Sequence, residues 1–263
     1  MTPSESVVVE TPAAWRDWPE DGVVVNATAV HVIRVPLPTA PATSPEEWWE
    51  LSATERARAD RFVVEPPRRR FRYCRRAVRR ALAEITGSRP ESLVFGAELN
   101  GKPTLLEPQN SALVFNVSHT GDWAVLALSQ SRQLGVDIET IDPHLDTAGL
   151  ANRFFAEAEL RELAALPPGD QRAAFYRLWT SKEAYMKALG LGMLLPLGSF
   201  WMRANPYWPP ELLGGRVEQG PGSLRGFEVD ATVPGVVMWN GGAADVHFWN
   251  AAPEWLEPRP PLA

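Results

Sequence analysis

The sequence predicts an α+β protein of two subdomains. Helical spacing followed by short strand-like runs occurs twice, once before about residue 130 and once after it. A chain of 263 residues, 45% apolar and 22% charged, has material for one large core or two smaller ones. No residue-level repeat links the halves, so the duplication concerns element order alone. The expected division is a loose arm rich in Pro, Ser and acid at 1–22, then subdomains at 23–130 and 131–263. Two such subdomains would put a shared ligand in the cleft between them, next to the strand expected at 133–139.

Taken in order, VVVNATAVHVIRV (23–35) is β-branched and partly alternating, so it reads as the first strand. Ser44-Pro45-Glu46-Glu47 combines a capping residue, Pro at the first helical position and Glu three after the cap, predicting a helix to about Phe62. A second helix spans about 67–86, with Phe71, Cys74, Val78, Leu82 and Ile85 on one buried stripe, arginines over the rest, and Gly87 to end it. LVFGAEL and PTLLE flank Asn100-Gly101, the dipeptide of a type I′ hairpin turn. ALVFNVS (112–118), DWAVLALS (122–129) and QLGVDIE (133–139) follow as strands. Helical spacing returns near 147–155, from 156 to the Pro167-Pro168 pair, and over 170–189, where Gly190 ends the last helix. FWMRA, GRVEQ, FEVDATV, GVVMW and VHFWNA then read as strands in a tryptophan-rich tail.

Composition removes several classes. The single cysteine, Cys74, allows no internal disulfide, and no Cys/His cluster has zinc spacing, so a reducing compartment, the cytoplasm, is expected. The N-terminus lacks a basic start and an apolar h-region, and no run of 18 apolar residues exists, which disfavours secretion and membrane spanning. A net charge of -6 argues against a general nucleic-acid binder, yet residues 68–80 hold eight arginines. Such an island wants an anionic partner, although most of its arginines read as solvated surface.

Chemistry concentrates in three stretches. In LGVDIET (134–140), Asp137 and Glu139 sit two apart on a strand and project to one face. That is either a polar strand end or a site for a hard cation such as Mg²⁺. LWTSKEAYMKALG (178–190) lies on the long helix, whose stripe of Phe175, Leu178, Trp179, Met186 and Leu189 leaves Lys182, Glu183 and Lys187 at its margin. Glu183 and Lys187, at i and i+4, are either a surface ion pair or a third acid beside a cation. In NVSHTGDW (116–123), Ser118 and His119 precede Gly121 and Asp122, as in a hairpin turn or as phosphate donors. The G-x-S-x-G context of a hydrolase is absent.

Phe115-Asn116-Val117-Ser118-His119, then Gly135-Val136-Asp137-Ile138-Glu139, then Trp179-Thr180-Ser181-Lys182-Glu183-Ala184-Tyr185-Met186-Lys187, 42 positions after Asp137, resembles the 4′-phosphopantetheinyl transferases of the Sfp type. Gly101-Lys102-Pro103 and Asn152-Arg153-Phe154-Phe155 fit as well, and the likeness covers roughly residues 45–205. It implies two similar subdomains in a pseudo-two-fold arrangement with the active site in the cleft between them. It also implies Mg²⁺, with Mn²⁺ as a substitute, on Asp137, Glu139 and Glu183, gripping the pyrophosphate of the co-substrate coenzyme A. Glu183 is then the candidate base, directly or through a bound water, and Lys187 stabilises pyrophosphate charge. Lys102, Pro103, Ser118, His119, Lys182 and Lys187 would contact coenzyme A, and Arg70 its 3′-phosphate. Arg56 and Arg58 lie where the family often has basic residues. The partner implied is an apo acyl or peptidyl carrier protein of fatty acid, polyketide or nonribosomal peptide synthesis. Nucleic acid and membrane are not expected partners, and two full halves favour a monomer.

Two rivals remain. Another Mg²⁺-dependent phosphoryl or nucleotidyl transferase would want the same acids and cations, but no Walker-type loop, kinase signature or H-x-x-x-H motif supports it. An arginine-helix module for nucleic acid explains the basic island and not the Asp/Glu/Glu set.

Overall fold

The computed structural model describes residues 13–39, 48–98, 101–109, 111–130, 132–215 and 222–258. The fold is α+β, and it divides into two compact units. One comprises residues 15–130 with 244–258, the other residues 132–243.

In the first unit, strands β1 (Trp15–Asp17), β2 (Ala29–Pro36), β5 (Leu113–Thr120), β6 (Trp123–Gln130) and β12 (Asp245–Asn250) form one sheet in the order β1-β12-β2-β6-β5. The division therefore departs from the expected 23–130 and 131–263. Strand β12 runs parallel to β2, with His247 opposite His31 and Trp249 opposite Ile33. The supposedly loose arm contributes β1, paired to the other edge of β12, and Trp18 is buried. Pairing between segments more than 200 residues apart leaves no local periodicity to read, so the tail and the arm looked unattached.

The helix α1 (Ala53–Asp60) is capped by Ser52, whose Oγ accepts the Glu55 N–H at 3.2 Å while Glu55 accepts the Ser52 N–H at 2.9 Å. Ser52-x-x-Glu55 repeats the Ser44-x-x-Glu47 pattern eight residues on, and residues 44–47 lie outside the described residues. Helix α2 (Glu65–Thr86) ends at Gly87, left-handed at φ 65°. Its Cys74, Ala77, Val78, Ala81 and Leu82 pack with Ile33, Val35, Phe115, Leu126 and Leu128 of the sheet.

The arginines of α2 are the main departure from the sequence reading. Arg76, Arg79 and Arg80 are 0%, 1% and 5% exposed, so much of the basic island is interior. Arg76 and Arg80 pair with Glu50 at 3.6 and 2.8 Å, and Arg75 and Arg79 reach Glu55 at 2.6 and 2.7 Å. Further donors of the three buried arginines take carbonyls: Arg79 those of Pro90 and Leu93, Arg76 that of Leu256, and Arg80 those of Glu254 and Glu257. A guanidinium carries five donors in a planar fork and can satisfy a carboxylate and chain carbonyls together. These latches tie residues 254–257 to α2, and the island's anionic partner is largely internal.

Strands β3 (Val94–Ala97) and β4 (Pro103–Glu107) form a separate hairpin. Asn100 lies outside the described residues; Gly101, at φ 82°, donates its N–H to Glu98 O. Strand β5 continues to Thr120, so Ser118 and His119 lie on a strand rather than in a turn. Adjacent strand residues face opposite sides: Ser118 is buried and His119 exposed.

The second unit repeats the plan of a 22-residue helix on a sheet. Strands β7 (Leu134–Ile138), β10 (Ser223–Asp230) and β11 (Val233–Trp239) are antiparallel in the order β10-β11-β7. Helices α3 (Thr147–Phe154), α4 (Glu157–Ala164) and α5 (Pro168–Leu189), with the hairpin of β8 (Phe200–Met202) and β9 (Leu212–Gly215), complete it. The expected strand at 215–219 lies almost wholly outside the described residues. Phe155, Phe175, Tyr185, Met186, Phe200, Val236 and Met238 share its core.

Lys182, expected at the stripe's margin and as a coenzyme A contact, is instead 0% exposed. Its ammonium pairs with Glu159 at 2.7 Å and donates to the carbonyls of Leu197 and Phe200. Burial pulls the lysine down and pushes the glutamate up, with their mutual attraction opposing both shifts. The stripe misled because residues 197–200 cover a face of α5 that apolar counting left open. With these partners Lys182 locks the unit's core and is not placed to touch a ligand.

Two outcomes follow for stability. Lys182→Ala strands the Glu159 carboxylate and should cost about 3–5 kcal/mol in urea unfolding, far above a surface change. His31 is 4% exposed, and burial, then His247 and Arg16, lowers its pKa from 6.5 to about 4. Its contribution is full above pH 6.5 and lost as pH falls toward 4, because the unfolded chain takes up the proton first. The difference between the wild-type and His31→Gln stability curves should change by about 3 kcal/mol across that window. A flat difference would mean that His31 titrates normally.

Candidate active site on β7 and α5

Helix α5 lies directly on β7, and Gly135 permits it. A Cβ at that position would sit 2.0 Å from Ala184 O and 2.5 Å from Ala188 N. Only a residue without a side chain allows backbone to meet backbone there. The consequence is registration: Asp137, two residues on and on the same face of β7, meets the Glu183 to Lys187 turn of α5.

Lys187 Nζ donates to Asp137 Oδ1 at 2.6 Å and to Val136 O at 3.2 Å. Asp137 is 4% exposed. Glu183, one turn before Lys187, is held above the ordinary carboxylate range by burial first and the Asp137 charge second, with Lys187 opposing. The structure therefore brings Asp137, Glu183 and Lys187 together: two acids, the first of which disfavours charge on the second, and one cation bonded to Asp137. That arrangement can receive a proton at Glu183 and present positive charge at its edge.

Glu139 follows the last residue of β7 and is half-buried. It lines a cavity of about 270 Å³ with Leu145, Leu150, Phe175, Tyr176 and Trp179. Among the described residues no three His, Cys, Asp or Glu side chains are gathered closely enough to hold a metal ion. The donors nevertheless fit a hard cation by type: all are carboxylate oxygens, and the Asp137 and Glu183 charges already call for a counterion.

The other expected contacts belong to the first unit. Arg70 faces Asp122 at 3.7 Å. Lys102 is half-buried at the start of the β4 hairpin arm, its pKa lowered by burial against the pull of Glu98, and Pro103 opens β4. A second cavity, of about 610 Å³, is lined by Arg58, Phe71, Arg75, Phe95, Gly101 and Pro103 among others. Arg56 instead donates to Leu51 O at the start of α1, so Arg58 is the basic residue of that helix that reaches the cavity. Phe71, expected in the core stripe, lines this cavity instead, one helical turn from Arg75.

Residues 133–221 match the family described as the 4′-phosphopantetheinyl transferase superfamily, and residues 44–131 match one described as 4′-phosphopantetheinyl transferase, N-terminal. The chain is 39% identical to 4′-phosphopantetheinyl transferase HetI of Nostoc sp. over 165 residues, 62% of this chain and 70% of that protein. It is 37% identical to a 4′-phosphopantetheinyl transferase of Bacillus subtilis over 153 residues, 58% of this chain and 66% of that one. It is also 37% identical to 4′-phosphopantetheinyl transferase Sfp of Bacillus subtilis over 111 residues, 42% of this chain and 47% of that one. With both matched segments present, and β7 and α5 inside the one at 133–221, the chain belongs to the 4′-phosphopantetheinyl transferase superfamily.

Proposed function

We propose that the chain transfers the 4′-phosphopantetheine arm of coenzyme A to a serine of an apo acyl or peptidyl carrier protein, releasing 3′,5′-ADP. The observation that carries this reading is the Asp137, Lys187 and Glu183 group, held in register by the approach of α5 to β7 in a chain of this family. Glu183, held beside Asp137 and Lys187, is assigned to take the serine hydroxyl proton, directly or through a bound water. The serine oxygen forms a bond to the β-phosphorus as the bond to the ADP oxygen breaks. Lys187, fixed by Asp137 and Val136 O, offers its ammonium to the charge that develops there.

Asp137, Glu139 and Glu183 would hold Mg²⁺, or Mn²⁺ in its place. Bound there, the ion would supply charge neutralisation at the pyrophosphate. Arg70, Lys102, Pro103, Ser118 and His119 are our assignments for the nucleotide and phosphate end. Ser118 and His119 stand on opposite faces of β5, so the side chain of one and the strand edge beside the other would meet it. Lys182 leaves that set because its ammonium is already bonded.

A monomer acting in the cytoplasm suits this reading. Cys74 is free, buried and pushed up to about 11, so its thiol is unreactive, and no helix among the described residues is long and apolar enough to cross a membrane. Internal pairing of the α2 arginines weighs against the nucleic-acid reading, since Arg75, Arg76, Arg79 and Arg80 already have carboxylates.

Intact-protein mass spectrometry of an apo peptidyl carrier protein with this chain, coenzyme A and Mg²⁺ should show the added arm, and EDTA should abolish it. No addition across peptidyl and acyl carrier proteins would overturn the reading. Glu183→Gln and Asp137→Asn should each lower turnover at least ~100-fold with melting curves still cooperative. Near-normal rates in either variant would remove that residue from the chemistry. Gly135→Ala, which adds a methyl where α5 touches β7, should lower turnover about 100-fold through misregistration, though it touches no ligand.

A further inference from the structure

Helix α5 carries Arg172, Tyr176, Trp179, Glu183 and Lys187 at steps of four, three, four and four. That spacing puts all five on one side of the helix. The chain of β7 and the segment after it pass along this stripe in the opposite direction. Gly135 meets Ala184 and Ala188, Asp137 meets Lys187, Glu139 shares a cavity with Trp179, and Asp142 reaches Tyr176. Glu183 and Lys187 have roles in the function argued above. Arg172 and Tyr176 have none there, and both bind backbone.

The chain leaves β7 at Glu139. On one side the segment is held by residues 232–234 at the start of β11: the Glu139 N–H donates to Pro234 O at 3.2 Å and the Ile141 N–H to Thr232 O at 2.9 Å. On the other side it is held by α5. Tyr176 Oη accepts the Asp142 N–H at 2.9 Å, and Arg172 Nη1 donates to Asp142 O at 2.7 Å and to Leu145 O at 2.9 Å. Tyr176 is 4% exposed and meets the Phe175 ring edge-on at 5.4 Å, so its hydroxyl has a fixed place. Glu139 itself lines the cavity of about 270 Å³, where packing constrains a side chain less than it does in a core. Its reach toward Asp137 and Glu183 is therefore set by where its backbone is pinned.

We propose that Tyr176 and Arg172 are positioning residues for divalent-cation binding: by clamping the backbone at Asp142 to α5, they fix where Glu139 stands relative to Asp137 and Glu183, and so how tightly the three hold the ion. The proposal rests on the function argued above, in which those carboxylates are the ligands. Neither Tyr176 nor Arg172 touches the ion. Groups that orient a metal ligand from outside typically contribute about 10- to 100-fold in metal affinity.

Titration of the full chain with Mn²⁺, read by the paramagnetic resonance signal of the free ion, tests it. Tyr176→Phe keeps the ring and removes the acceptor, and should weaken Mn²⁺ binding about 10-fold in protein that still melts cooperatively. Arg172→Gln should act in the same direction. In a Glu139→Gln background Tyr176→Phe should change binding by less than about 2-fold, because the group it positions is gone. In carrier loading, Tyr176→Phe should raise the Mg²⁺ concentration for half-maximal rate about 10-fold and leave the rate at saturating Mg²⁺ within about 3-fold. Equal weakening in both Glu139 backgrounds would make Tyr176 a structural residue, and unchanged metal dependence in Tyr176→Phe would remove it from the site; either result overturns the proposal while carrier loading by the wild type stands. A wild type that loads no carrier would instead overturn the proposed function itself, and the proposal with it.

Discussion

The approach of α5 to β7 at Gly135 is the constraint on which the candidate site depends. A helix normally rests on a sheet with side chains between them, and here one position has none. Backbone contact at that point sets both the height and the register of α5. Asp137, Glu183 and Lys187 are thus brought together by packing, not by their own attraction, which for two acids would be negative. The lock between Lys182 and Glu159 acts on the same helix from another side, tying it to α4 and to the carbonyls of residues 197 and 200. Less than two turns of helix thereby carry both a structural lysine, Lys182, and the lysine that pairs with Asp137, Lys187.

Burial of charge is the theme shared by both units. In the first, Glu50 and Glu55 each serve two arginines of α2, and the surplus guanidinium donors reach chain carbonyls. An isolated buried charge is very costly, whereas a carboxylate between two guanidiniums has its charge balanced. These pairs fix where segments distant in sequence dock: Glu55 joins α1 to α2, and Arg76 and Arg80 hold residues 254–257. The same residue type at Arg58 stays exposed beside a cavity, so arginine count alone says little about role.

Much of the local structure was legible in the sequence. Both 22-residue helices were foreseen within a few residues, with Gly87 and Gly190 as their left-handed ends, because 3.6-residue periodicity and a terminal glycine are local signals. The β5 to β6 hairpin was equally plain. Asp137 and Glu183 could be paired from the motif order alone, since family resemblance carries spacing that periodicity does not. The arm at 15–17 and the strand at 245–250 were not placed, since parallel pairing with a strand over 200 residues away has no local mark.

What the sequence determined by itself was therefore the type and order of elements, the family, and which acids and lysines carry its motif. Tertiary structure alone decided which of those charges are free to act. Lys182 and Lys187 are chemically alike and five residues apart, yet one is enclosed with Glu159 and the other reaches Asp137. Arg75 and Arg79 share one carboxylate, yet Arg79 is enclosed and bonded to two chain carbonyls while Arg75 stays partly exposed. Exposure and hydrogen-bond saturation depend on what packs across from a residue, and that is set by the whole chain rather than by its neighbours in sequence.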